Sequence, residues 1–336
     1  MKKTFRANLY FLIILLGEII GGQVLGIFYG ILGITDIRLM LFLNHMILFI
    51  IPAIIYLIIV KPNIKQTFKL NKLYLKDFFL IIVLSFVSQP LVSLFSLITS
   101  FFFENDIGNF VSEISSTPFL IMLLLMAVMP AITEEITLRG IVQSGYDDKS
   151  DLKTCITIGL LFGIFHLNGQ QFLYAAVLGG ILAYLVRVTN SIFASMTLHF
   201  MINGTSVAMQ KILTFLQDKF GIEEAAQDIS IKALSLAEKM NLLKSYIVAG
   251  MVSAFLIVLI LKKLKKINDK RKQNLINEQI QYKEAEFIDY QYFNKGIAYN
   301  KEDKIMNWPL IVTIIIYFMY MGLTIMVNLI NNQGML

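Results

Sequence analysis

Residues 119–140 read FLIMLLLMAVMPAITEEITLRG. The first part is an uncharged apolar run, and about 20 such residues cross the hydrocarbon of a bilayer as a helix. Its far end nevertheless holds Glu134, Glu135 and, one turn on, Arg139. A charge near the bilayer centre costs roughly 3 kcal/mol on insertion scales, so such residues usually face a bundle interior or a wet cavity and serve a function. The stretch therefore predicts a spanning helix with a polar inner face.

The rest of the chain repeats the apolar pattern. Of 336 residues, 57% are hydrophobic and only 15% charged, with mean hydropathy +0.69, whereas a soluble domain carries about 25% charged residues. Short alternating strands of the kind that build transmembrane barrels are missing. The fold class is all-α, a polytopic bundle of about eight or nine spans, with candidate spans at 8–33, 39–60, 77–103, 118–140, 152–166, 171–188, 190–207, 243–262 and 308–331. The first span is too long, and too poor in a small-residue cleavage site, for a removable signal peptide. With Cys155 as the single cysteine, an intramolecular disulfide is excluded.

Lysine and arginine in short loops set orientation. MKKTFR at the start, the lysines at 61, 65, 69, 72 and 76, and LKKLKKINDKRK at 261–272 all fall on one side of a nine-span count, and the acidic ENDIGN at 104–109 on the other. The N-terminus is thus expected in the cytoplasm, and the membrane to be the plasma membrane of a bacterium. The net charge of +6 goes to these flanks and not to a nucleic-acid surface. Residues 62–76 are expected along the cytoplasmic interface. The chain divides into N-terminal spans (1–117), a core (118–207), an external amphipathic segment with a span (208–262), and a polar cytoplasmic segment with the last span (263–336).

Three polar groups recur at one depth. Glu134 lies ~16 Å from the cytoplasmic turn near Gly145, His166 ~21 Å past the start of its span, and His199 ~14 Å past the turn at Asn190, at 1.5 Å rise per residue. His199 and Asn203 are four apart and share a helix face, as do Glu135 and Arg139, which can pair and leave Glu134 pointing elsewhere. Pro130 removes the N–H that would satisfy the Met126 carbonyl, and irregular backbone at this depth lines protein or water. A glutamate, two histidines and an asparagine in a wet pocket suit amide hydrolysis. Glu134 could take a proton from water. His166 and His199 could bind a divalent metal, zinc above all, together with Glu134 or Asn203, or act directly by hydrogen bonding. Asn203 could donate to the carbonyl oxygen as charge develops.

EEITLR (134–139), FGIFH (162–166) and HFMIN (199–203) resemble, in order, the EExxxR, FxxxH and HxxxN motifs of the CAAX-protease and bacteriocin-processing (Abi) family of intramembrane proteases. The resemblance covers roughly 118–207, including FLYAAVLGGILAYLVRVTNSIFASMTLHF (172–200). It implies an intramembrane endopeptidase of the metalloprotease type acting on a membrane-associated or lipidated peptide, with Glu134 as base, His166 and His199 orienting water or holding metal, Asn203 completing the third motif, and Glu135 and Arg139 in support. Leu138 departs from the aromatic residue common there, which bears on packing.

Two other readings use the same residues. One is a non-catalytic bacteriocin-immunity or partner-binding membrane protein that keeps the pocket. The other is a proton-coupled transporter using the glutamates as a relay, for which a duplicated pair of broken helices is missing. His45, alone in the second span, matches no motif and reads as structural, and Phe162 as packing behind His166.

Overall fold

The computed structural model describes residues 2–220, 231, 234–285 and 303–333. Among these, every regular element is helical: α1 (Lys3–Ile31), α2 (Ile37–Val60), α3 (Ile64–Thr67), α4 (Leu75–Ser100), α5 (Asp106–Glu113), α6 (Phe119–Val142), α7 (Asp151–Phe165), α8 (Gly169–Thr189), α9 (Ile192–Phe220), α10 (Leu236–Ala285) and α11 (Trp308–Gln333). Eight of them, all but α3, α5 and α7, are long and apolar enough to cross a membrane.

α7, with 15 residues, is short for a span, yet its packing carries it across the same thickness. At its start Asp151 pairs with Arg187 near the end of α8, and Arg187 also donates to the carbonyls of Tyr146 and Lys149. At its far end the chain turns into α8, where the Gln170 carbonyl accepts from Thr99 Oγ1 of α4 at 2.6 Å. The opposite end of α8 meets the residues preceding α4, with Asn71 Nδ2 donating to the Asn190 carbonyl at 2.8 Å. The α7–α8 hairpin and α4 therefore run between the same two levels.

Small residues let that hairpin close. A Cβ on Gly159 would stand 2.5 Å from the Ala176 carbonyl oxygen, and one on Gly163 2.7 Å from that of Phe172. Without a hydrophobic drive between helices in lipid, such backbone approach supplies the packing. Helix α7 is thereby fixed against α8, and with it the residues at its end.

The ends of the bundle differ in charge. The start of α1, residues 61–76, the turn at 143–151, residues 187–192 and the stretch past 262 gather at one end. Their links are Thr4 Oγ1 to the Gly145 carbonyl, Lys69 to Asp147, and Arg271 to Asp77. Residues 62–76, expected along the interface, are mostly exposed, with one anchor in the core. Phe68 is buried, with its ring against Gly140, and Ile192 N–H donates to the Lys69 carbonyl.

Two helices run past the spans expected for them: α9 continues unbroken to Phe220, and α10 runs on to Ala285 into the polar stretch after 262. Neither region contains a proline to stop the helix. The remainder of that polar stretch, from 286 to 302, lies outside the described residues.

Candidate active site

Helix α6 carries the first motif on an irregular backbone. Its residues 124–128 and 136–142 are wound as π-helix, with ordinary α-helix between them at Met129–Glu135. Such π turns are frequent at functional sites, and the extra residue per turn redirects the side chains that follow. Pro130 leaves the Met126 carbonyl short of its helical donor, and Asn203 of α9 fills the gap, its Nδ2 donating at 3.1 Å. The freed carbonyl and the third motif, read separately in the sequence, are thus one contact. One N–H of the Asn203 amide is committed there, and the other remains.

Glu135 meets Arg139, His199 and the Ser195 hydroxyl. Its Oε1 lies 3.0 Å from Arg139 Nη1, with both side chains fully buried, and 2.9 Å from His199 Nδ1. Arg139 in turn donates from Nη2 to the Gly179 carbonyl at 3.2 Å and lies over the Phe162 ring, 4.3 Å from its centroid. The arginine neutralises Glu135, and Glu135 orients the histidine. The expected Glu135–Arg139 pair is present, but the link to His199 was not foreseen, since nothing in residue spacing connects α6 to α9.

Glu134 points away from that cluster. Its Oε2 has no hydrogen-bond partner among the described residues and stands 3.9 Å from His199 Nε2. The Glu134 side chain is 12% exposed and that of His199 4%, so the gap between them is secluded without being sealed.

His166 ends α7. Its Nδ1 lies 2.7 Å from the Phe162 carbonyl, a contact only an N–H can make, which leaves Nε2 free. Likewise the Nδ1 of His199 faces a carboxylate, so its Nε2 is the free nitrogen. Both imidazoles stand edge-on to Phe162, with ring centroids at 4.7 Å for His166 and 5.7 Å for His199. His166 reaches the group through this shared ring. Leu167, immediately after it, has φ +48°, a left-handed conformation costing a leucine roughly 1–2 kcal/mol. The turn lets α8 begin at Gly169 and keeps His166 inside the bundle.

Three further side chains bear on this region. His45 Nδ1 meets Thr133 Oγ1 at 2.8 Å, so the second span is tied to α6 one residue from Glu134. Glu18 of α1 and Tyr174 of α8 both sense the charge of Glu134. Glu18 has a readable signal in the sequence, being the single charged residue between Arg6 and Asp36, and an ionisable group within a span marks function by default. Tyr174 has no such signal, since a tyrosine in an apolar run reads as packing.

A divalent metal would draw its ligands from this donor set. The free Nε2 atoms of His166 and His199, with Glu134, would be the ligands, but among the described residues no group of three or more His, Cys, Asp or Glu side chains is close enough to hold an ion. The described His, Cys, Asp and Glu side chains do not by themselves form a three-ligand site.

Residues 116–205 match the family described as type II CAAX prenyl endopeptidase Rce1-like. No curated protein and no solved structure matches the chain. The matched residues run from just before α6 into α9, and they hold all three motifs. The resemblance read from those motifs is borne out over this segment.

Proposed function

We propose, with the CAAX prenyl endopeptidase match of residues 116–205 as premise, that this chain is an intramembrane endopeptidase. It hydrolyses a peptide bond in a membrane-associated or lipidated peptide by direct attack of water. The observation that carries this reading is the 3.9 Å gap between Glu134 Oε2 and His199 Nε2, two acceptors that a single water can bridge with one hydrogen to each. A water held so presents its oxygen lone pair to a carbonyl carbon.

Each residue then has a role. Glu134 is the base that removes the water's proton and later hands it to the departing nitrogen. His199, fixed through Nδ1 by Glu135, holds the water's other hydrogen, and Arg139 keeps Glu135 in place. The second N–H of Asn203 meets the carbonyl oxygen as negative charge builds on it, and His166, whose neutral Nε2 can only accept, helps hold the attacking water. No step is routed through a metal.

The end of the bundle that gathers most of the lysine and arginine is assigned to the cytoplasm of a bacterial cell by the positive-inside rule, which puts the N-terminus there as well. A lipid-anchored peptide would approach laterally, its chain reaching the site at the level of Glu134. The test uses protein purified in detergent with a synthetic prenylated CAAX peptide, with products mapped by mass spectrometry. One internal cut is expected, at a rate unchanged by prior dialysis against a strong chelator. A dialysed protein that is inactive until zinc is restored would replace this chemistry by attack of a metal-bound hydroxide. No cut in any of a panel of membrane-anchored peptides would favour a non-catalytic, partner-binding role.

A further inference from the structure

Glu18 belongs to none of the three motifs and lies outside the matched segment, on the first helix. α1 is wound as π-helix over Gly17–Gly21, and α2 likewise over Met46–Ile50. The two irregular turns pack on one another, and a Cβ on Gly21 would stand 2.8 Å from a Leu48 methyl. His45, one residue before the second turn, holds Thr133 beside Glu134. This stack brings Glu18 to the level of the site.

The Oε1 of Glu18 is buried and has no hydrogen-bond partner among the described residues, which is also true of Glu134 Oε2. An unmet polar atom away from water costs about 1–3 kcal/mol, so a carboxyl oxygen in this state inside a span gains by accepting a hydrogen from a bound ligand. We infer that Glu18 receives the substrate: its Oε1 accepts the N–H of the scissile peptide bond, across the pocket from the water held at Glu134. The inference rests on the endopeptidase reading above and adds to it the residue that positions the leaving nitrogen.

The chemistry balances without a covalent part for Glu18. Glu134 takes a proton from water, the hydroxide oxygen bonds to the carbonyl carbon, and the same proton passes to the nitrogen as the carbon–nitrogen bond breaks. Glu18 keeps its hydrogen bond to that nitrogen throughout, and the bond strengthens as positive charge grows there.

The test compares two probes on the purified full chain: a prenylated CAAX peptide, and its depsipeptide analogue with oxygen in place of the scissile N–H. Glu18→Ala should lower kcat/KM for the peptide by roughly ten- to a hundredfold, the range for a hydrogen bond to a charged group. The same variant should leave hydrolysis of the depsipeptide within about twofold of the unaltered protein, because that probe has no hydrogen for Glu18 to accept. Glu18→Gln, which keeps a carbonyl acceptor, should fall between the two on the peptide. Equal losses on both probes would overturn the inference, assigning Glu18 to the scaffold, and no loss on either would do so by removing it from the site. If the unaltered protein cleaves neither probe, the endopeptidase reading itself fails, a distinct result.

Discussion

Glu134→Gln is expected to lose about 10²- to 10⁴-fold in kcat, the share of a positioned general base, while the protein inserts and melts as before. The substitution is isosteric, and it removes an unpartnered carboxylate oxygen from a secluded site, so the folded state loses no contact. The amide cannot accept the water's proton, and its NH2 would compete with that water for His199 Nε2. Turnover of the prenylated peptide and a thermal unfolding curve in the same detergent check both halves. A variant that is inactive because it is unfolded does not meet the expectation. One that is folded and fully active would remove Glu134 from the chemistry.

The neighbouring residue should behave in the opposite way. Glu135 shares its Oε1 between Arg139 and His199 with no exposure to solvent, and removing one member of a buried pair leaves the other charge unpaired, at a cost of about 3–5 kcal/mol. Glu135→Ala should therefore fold poorly as well as fail to cleave. Replacing both members, Glu135→Leu with Arg139→Met, restores an uncharged core of similar volume and should recover much of the stability. It should not recover activity, because His199 has lost the acceptor that fixes its tautomer. Recovery of both by the double substitution would reduce Glu135 to a structural counter-ion. Between them, the two variants separate a carboxylate that reacts from one that holds.

The contrast between Glu134 and Glu135 was partly legible in the sequence. The four-residue spacing of Glu135 and Arg139 gave their pair, and Pro130 gave a free carbonyl at Met126. The apolar runs gave the eight helices long and apolar enough to cross a membrane, whereas α7, expected as a span, has only 15 residues. Other features were hidden because they depend on which helices become neighbours. The Glu135–His199 bond joins α6 to α9, and the Asn203 amide finds Met126 across the same interface. His45 read as a lone histidine, and only the packing of α2 on α6 sets it on Thr133. The π turns were hidden as well, since an inserted residue in an apolar helix changes direction without changing composition. The place of Phe68 beneath Gly140 was missed for a related reason: an amphipathic stretch looks the same whether it lies on lipid or under a helix end.

The central claim is that Glu134 and His199, from different helices, act on one water. A double-substitution cycle on kcat/KM with Glu134→Gln, His199→Gln and their combination tests it directly, because groups that serve a single event are strongly non-additive. The account predicts that the combined variant is within about twofold of the slower single variant, since either change alone already releases the water. Losses that multiply in the combined variant would mean that the two side chains act independently, and would contradict it.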